Sequence, residues 1–427
     1  MHYQNLAGRR GLRARCALLI ILFASILPAA WGRDGTPLSL DEAIARAGEQ
    51  NPGLRVFDLK LRADEARQRA ADRAPALALG ADIENAFGSG EYRGADSAEY
   101  TVSLSSVIEL GGKRQARKSL AGAARDLTAM EREAKALDLM TEVTQRFIAT
   151  LALQEKVALG EEAVALADGA RRITARATAS GAAPEADALR ADAALVQGRI
   201  DLARLRAAYD SGRMALALAL AWGGSQADFA RLDGDLFAAG RAQPFETLWQ
   251  RAQGNPAVVL FAGERRLREA ELNLARSRAA GDIDWQLGLR RMDDSGDSAL
   301  VAGVSMPLFA GPRAQAGIAA AQAELGQVEF RQQDALLSLH QRLFAAYVER
   351  QTQLDAVAAM RAEMLPALEK ALAQTRAGYA QGRYGYAEWM AAQRELLAAR
   401  VALIDAAAGA LLNQALIEQL TAQPVAP

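Results

Sequence analysis

From Lys113 to Ala179 the chain runs for 67 residues without a proline. Continuous helix over that span is about 100 Å long at 1.5 Å per residue, several times the width of a small domain. Leu120, Ala123, Leu127, Met130, Ala134 and Leu137 are spaced 3, 4, 3, 4, 3, and Leu159, Ala163, Leu166, Ala170, Ile173 and Ala177 are spaced 4, 3, 4, 3, 4. This is a heptad seam with a phase slip between its two ends. Alanine dominates the seam, so partner helices approach closely. Two packings suit such a rod: a solvated antiparallel coiled coil, or one stave of a helical tube.

The rod belongs to a unit that occurs twice. Asn51-Pro52 and Asn255-Pro256 each follow an amphipathic stretch, at an offset of 204. Leu110-Gly-Gly-Lys-Arg114 matches Phe309-Ala-Gly-Pro-Arg313 at 199, and Ser180-Gly181 with Asp187 matches Gln381-Gly382 with Glu388 at 201. Three anchors in order at nearly constant offset mark an internal repeat. The first copy is expected over residues 33–221 and the second over 245–427, joined by a glycine-bearing linker at 222–244. Each copy reads as a helix (about 53–74 and 257–279), two strand-like runs and a long helical hairpin. The hairpins are expected at about 113–221 and 314–420, the second interrupted by Pro366.

The strand-like runs, about 77–87, 100–110, 283–292 and 299–308, alternate with period two. Leu79, Ala81 and Ile83 oppose Gly80, Asp82 and Glu84, while Val102 and Leu104 oppose Thr101 and Ser103. Trp285, Leu287 and Leu289 oppose Gln286, Gly288 and Arg290, and the fourth run carries Leu300, Ala302, Val304 and Met306 on one face. Runs of about 10 residues suit transmembrane β-strands, which puts Leu79, Leu104 and Leu287 towards lipid and Ser103 towards a lumen. An ordinary half-buried hairpin shows the same alternation.

The N-terminus narrows the choice. Arg9, Arg10, Arg13 and Arg15 precede an apolar run from Ala17 to Ala30, and Ala30-Trp31-Gly32 offers a cleavage site. Residues 1–32 therefore read as an export signal. The single Cys16 and one of two histidines, His2, lie inside it, leaving His340 as the one imidazole of the mature chain. Disulfides and Cys-based zinc or nucleophile sites are excluded, no nucleophile–base pair stands out, and neither an enzyme nor a bound cofactor is expected. Fifty Lys plus Arg against 51 Asp plus Glu argue against nucleic acid as partner.

Four strands cannot close a membrane barrel, and an open edge in lipid leaves backbone groups unpaired at several kcal/mol each. Three copies give twelve strands and twelve long helices. The fold class expected is mainly α with a small β part: helical hairpins forming an α-barrel on a 12-stranded transmembrane β-barrel.

This order of elements resembles the TolC-type outer-membrane efflux proteins over about residues 38–420. Glu84-Asn-Ala-Phe-Gly-Ser-Gly-Glu-Tyr-Arg-Gly-Ala-Asp-Ser-Ala-Glu99 and Ile108-Glu-Leu-Gly-Gly-Lys-Arg114 resemble its cobalt–zinc–cadmium (CzcC-like) branch. The resemblance implies a homotrimeric duct in the outer membrane with a long periplasmic extension. It also implies a periplasmic adaptor and an inner-membrane, proton-driven resistance–nodulation–division pump as partners. Heavy-metal cations are the cargo it suggests, with organic compounds or type I secretion as alternatives.

Three sites follow. Gly111, Gly112, Lys113 and Arg114 form a tight strand-to-helix junction, with the two cations placed near the membrane interface. Ser180, Gly181 and Ala182 at one hairpin tip, and Gln381, Gly382 and Arg383 at the other, are expected adaptor-docking points, or merely the turns any helical hairpin needs. Asp187 and Glu388 sit just after the tips, either as a carboxylate ring at a periplasmic mouth or as solvated acids favoured by helix N-termini.

Overall fold

The computed structural model describes residues 37–222, 229–238, 240 and 243–423. The expected export signal, with Cys16 and His2, and part of the expected linker lie outside the described residues. A two-residue strand β1 (Leu38–Ser39) leads into α1 (Leu40–Gln50) and α2 (Pro52–Ala71). Strands β2 (Ala78–Glu84) and β3 (Glu99–Ile108) then feed α3 (Lys113–Ala179), which turns back as α4 (Glu185–Ala219). After β4 (Leu232–Asp233) come α5 (Phe245–Ala252), α6 (Pro256–Ser277), β5 (Ile283–Met292) and β6 (Ser298–Ser305). The second rod is α7 (Ala310–Ala359), one π-helical turn (Met360–Met364) and α8 (Leu365–Ala380), and α9 (Tyr386–Thr421) returns.

The first rod is unbroken over its full 67 residues. The second is interrupted near Pro366, with the irregularity just upstream of the proline. The π turn ends two residues before Pro366, which occupies the first turn of α8. The wider turn accommodates a ring that has no N–H to donate and would otherwise press on the carbonyl four residues back.

The two Asn-Pro dipeptides make matching caps. Asn51 Oδ1 accepts from Gly53 N at 2.8 Å, and Asn255 Oδ1 accepts from Ala257 N at 2.8 Å. Each proline opens its helix, where its missing N–H costs nothing. The amide nitrogens reach across the fold: Asn51 Nδ2 donates to Ala219 O at 3.3 Å and Asn255 Nδ2 to Gln419 O at 2.7 Å. Both acceptors are carbonyls in the last turn of a long helix, where the i to i+4 ladder runs out, and Gln419 O also accepts from the Ala422 cap amide at 3.2 Å.

The main core lies mid-length along the rods. Val143, Phe147 and Leu151 of α3 pack with Ala43 and Ala47 of α1, Leu216 and Leu220, and Ala407 of α9. Phe229, Leu232 and Leu236 join them. The expected linker thus sends three side chains into the core, and β4 pairs in parallel with β1 through Leu38 and Leu232. Gln154 holds β4 from α3, accepting from Leu232 N at 2.9 Å and donating to Leu232 O at 3.2 Å.

The four-stranded sheet is antiparallel throughout, in the order β2-β3-β5-β6. Its register confirms the alternation read from sequence. Leu79, Leu104, Leu287 and Ala302 form one cross-strand row, and Ala81, Val102, Leu289 and Leu300 the next on the same face. Gly80, Ser103, Gly288 and Val301 lie on the opposite face, with Asp82, Thr101, Arg290 and Ala299 beside them. Residues directly opposite share a face of a pleated sheet, so the split is geometric.

Replacing Asn255 by Ala should remove both a helix cap and a buried carbonyl contact. A loss of about 1–2 kcal/mol is expected in denaturant unfolding followed by helical circular dichroism. Asn51→Ala should cost less, because its bond to Ala219 is longer. Equal stability of Asn255→Ala and the parent would show that the caps do not hold the rods.

Candidate functional sites at the tips, the elbow and the sheet

Both hairpin tips are the same turn. Gly181 has φ +74° and Gly382 φ +69°, the left-handed conformation that glycine enters without strain. In the first tip Gly181 N donates to Thr178 O at 3.0 Å and Ala182 N to Ala177 O at 2.8 Å. In the second Gly382 N donates to Tyr379 O at 3.0 Å and Arg383 N to Gly378 O at 2.8 Å. This paired pattern is the Schellman closure of a helix C-terminus. Ser180, Ala182, Gln381 and Arg383 are exposed around it. Open space surrounds the position of a Cβ at either glycine, so only the backbone angle resists substitution there.

Asp187 and Glu388 occupy the first turns of α4 and α9, where the helix dipole favours acids. Their surroundings differ. The Asp187 side chain is 15% exposed and lies 3.5 Å from Arg190 Nη1. Glu388 is exposed and curls back over Gly385, its Oε2 2.8 Å from where a Cβ would sit.

Beside the tips lies an aromatic cluster that the heptad pattern did not reveal. Tyr386 and Trp389 of α9 are buried against Ala170 of α3 and Ala191 of α4. Tyr379 stacks on Trp389 with ring centroids 5.1 Å apart. The hydroxyls of Tyr379 and Tyr386 are buried without a hydrogen-bond partner, and burial pushes the Tyr386 hydroxyl up from its ordinary pKa. Higher on the rods two ion pairs join the hairpins: Arg400 Nη1 to Glu162 at 2.7 Å and Lys156 Nζ to Asp405 at 2.5 Å. Three bulky aromatics among alanines near a turn were the available sequence signal.

At the elbow between β3 and α3, Gly111 and Gly112 both have φ +71°. A side chain at Gly111 would collide with Ser277 O and Ala280 Cβ, each 2.7 Å from a Cβ. The cations that follow are tied to acids. Lys113 Nζ donates to Asp282 Oδ1 at 2.6 Å, and Leu110 N donates to the same oxygen at 3.1 Å. Arg114 Nε donates to Asp72 O at 2.6 Å, Lys118 pairs with Asp72 at 3.1 Å, and Arg117 grips Glu109 with two nitrogens. The network joins the end of α2, the end of β3, the start of α3 and the approach to β5. Burial raises the Asp282 carboxyl, but Lys113 and the Leu110 amide outweigh it and hold it below its ordinary pKa. Lys118, with Arg114, does the same for Asp72.

On the sheet, Leu79, Leu104 and Leu287 are 78%, 40% and 49% exposed. Ile83, Val102, Leu289, Leu300 and Val304 are exposed beside them. The opposite face carries polar side chains, and Arg290 binds Glu99 and Glu84, each at 2.6 Å. Ser103 is on that face as expected, yet it is not a free position. It is 5% exposed, and Cβ atoms at Gly80 and Gly288 would come within 3.0 Å of its Oγ and Cβ. An added carboxylate there crowds both neighbouring strands.

His340 packs edge-on against Phe245 and Trp249, at 5.3 and 4.8 Å, as a member of an aromatic cluster. Among the described residues no group of three or more His, Cys, Asp or Glu is placed to hold a metal ion, and no described helix is long and apolar enough to cross a membrane.

The profile of the outer membrane efflux protein family matches residues 43–223 and 249–423. The cobalt-zinc-cadmium resistance protein CzcC of Cupriavidus metallidurans is 26% identical over 345 residues, covering 80% of each chain. Two solved structures share the fold. A membrane protein from Pseudomonas aeruginosa gives a TM-score of 0.75 at 19% identity, covering 91% of each chain. The channel-forming protein CusC gives 0.76 at 18%, covering 93% of this chain and 95% of its own.

Two outcomes are expected. The depressed Asp72 and Asp282 carboxyls contribute stability at neutral pH that is lost as the pH falls below the ordinary carboxylate range, about pH 4. Asp282→Asn should flatten that acid limb in a pH series of thermal melts, and an unchanged limb would assign it elsewhere. Gly181→Val and Gly382→Val should strain the tips by about 1–3 kcal/mol and leave overall helicity intact. Proteolysis at the tip should quicken; cleavage at the parent rate would show that the turn absorbs a left-handed valine.

Proposed function

The chain belongs to the outer membrane efflux protein family, and we propose that three copies assemble into a single duct through the outer membrane and across the periplasm. Its family is one of channels rather than enzymes. The observation that carries the trimer is the sheet: β2 and β6 each have one strand neighbour, and the face bearing Leu79, Leu104 and Leu287 is exposed. Joining β6 of one copy to β2 of the next pairs both edges, and three copies supply twelve strands, an even number within the range of membrane barrels. The exposed apolar face then meets lipid and the Arg290 face lines the lumen. The matching caps and tips of the two halves, residues 33–221 and 245–427, support a duplicated unit, which gives the tube pseudo-sixfold symmetry.

The rods tell the same story. On α4, Leu189, Val196 and Ile200 are exposed, and on α7, Phe330, Leu337 and Phe344 are exposed at seven-residue intervals. Within one copy α3 packs on α4 and α9, and α7 on α6 and α9. The apolar seams of α4 and α7 belong at the joints between copies, where knobs-into-holes packing covers them.

In this reading the tube, about 100 Å long, reaches from the membrane to a periplasmic adaptor at Ser180, Gly181, Ala182, Gln381, Gly382 and Arg383, and a proton-driven inner-membrane pump loads it. The relative CzcC favours heavy-metal cations as cargo. Asp187 and Glu388 would then give six carboxylates near the mouth, and a ring of acids favours cations. Deleting the gene should sensitise cells to cobalt, zinc or cadmium, with rescue by the parent but not by Leu104→Asp, whose charge would face lipid at a cost somewhat below that of a midplane Arg or Lys, about 2–4 kcal/mol. Unchanged metal growth with new sensitivity to organic compounds would move the cargo to that class.

A further inference from the structure

Two adjacent arginines on β5 have opposite fates. Arg290 points to the polar face, where Nε donates to Thr101 Oγ1 at 3.0 Å and the other nitrogens reach Glu99 and Glu84 at 2.6 Å. Arg291 points to the apolar face. Its cross-strand neighbours are Tyr100 and Ser298, in the row that begins with Ile83. It is exposed, and among the described residues its guanidinium makes no hydrogen bond or ion pair.

Below Arg291 on the same face of β5 stand Ile283, Trp285, Leu287 and Leu289. Arg291 therefore ends an apolar stripe. From Ile283 to Arg291 is about 26 Å of strand, or about 19 Å of height at a 45° tilt. That falls within the apolar band of a membrane barrel, about 25 Å tall. With Ile283 near the helical end, Arg291 and Tyr100 lie towards the far side of that band, next to the connecting loops and within snorkelling reach of the headgroups. A guanidinium costs least there, at the headgroup level, and an interfacial tyrosine is at home beside it.

We propose that Arg291 binds the phosphate of an anionic lipid headgroup at the outer surface of the membrane, with the Tyr100 and Ser298 hydroxyls as neighbouring donors. The proposal rests on the membrane reading given above. A guanidinium presents two parallel N–H groups to a phosphate, which an ammonium does not. Arg291 lies on an inner strand of the sheet, so closure through β2 and β6 leaves its flank facing lipid. The acids Asp293, Asp294 and Asp297 lie beyond the end of the strand, in the β5–β6 loop.

The test uses the purified full assembly in vesicles of phosphatidylcholine alone, of phosphatidylcholine with one quarter phosphatidylglycerol, and of phosphatidylcholine with added inorganic phosphate. The readout is the temperature at which the assembly dissociates. The anionic lipid should raise it by several degrees and inorganic phosphate should not. Arg291→Gln should lose most of that increment, and Arg291→Lys should keep part of it. The same dissociation temperature in all three vesicles overturns the proposal, as does an increment that Arg291→Gln retains. A response to inorganic phosphate equal to that of the lipid shows an anion site without lipid recognition. A loss of stability by Arg291→Gln that is equal in all vesicles assigns the arginine to a carboxylate of the neighbouring copy. Failure of the parent to insert into any vesicle defeats the membrane reading itself and is distinct from each of these results.

Discussion

Every strand carries backbone N–H and C=O groups that need partners wherever water is excluded. In this sheet β3 and β5 are paired on both sides, while β2 and β6 each present one open edge. The same sheet turns exposed leucines and valines outward. An apolar face calls for lipid and an open edge forbids it, and the conflict disappears only when the edges pair with other copies. In the proposed trimer the helical part follows from that closure. Each strand pair runs into a long helix through a short elbow, so a ring of strands imposes a ring of rods.

The elbows are where the two layers are kept in register. In the first, two left-handed glycines turn the strand into the helix and a set of ion pairs fixes the direction in which α3 leaves. Partly exposed ion pairs of this kind contribute modest energy singly. Their number and shared acceptors give them geometric weight: Asp72 meets both Arg114 and Lys118, and Asp282 meets Lys113 and the Leu110 amide. The second elbow is built differently. Phe309 takes the left-handed position with φ +60°, and Pro307 O lies 2.9 Å from where a Cβ at Gly281 would be. One connection is polar and the other steric, although both join a strand to a rod.

Much of this was legible in the sequence, and the reason is periodicity. The unbroken α3, the two-faced strands and the glycine tips depend on residues within a few positions of one another, so spacing alone carries them. What escaped depends on contacts between distant segments. The glycine turn places Lys113, but its partner Asp282 is 169 positions away. Alternation puts Ser103 on the face opposite Leu104, as the register has it, yet its crowding by Gly80 and Gly288 follows from strand pairing, which alternation does not specify. The glycines of the 222–244 segment mark a linker, but nothing in its spacing shows that Phe229, Leu232 and Leu236 bury in the core with α3. Alternation puts Arg290 and Arg291 on opposite faces; only strand pairing shows that Arg290 meets Thr101, Glu99 and Glu84 while Arg291 stays free among the described residues.

Closure by copies of the chain is the claim on which the rest hangs, and the mass of the particle tests it most directly. Light scattering of the protein extracted from outer membranes, corrected for bound detergent, should give three times the mass of one mature chain. A monodisperse single chain that stays in solution without detergent would contradict the account, because both sheet edges and the leucine face would then be exposed to water by design.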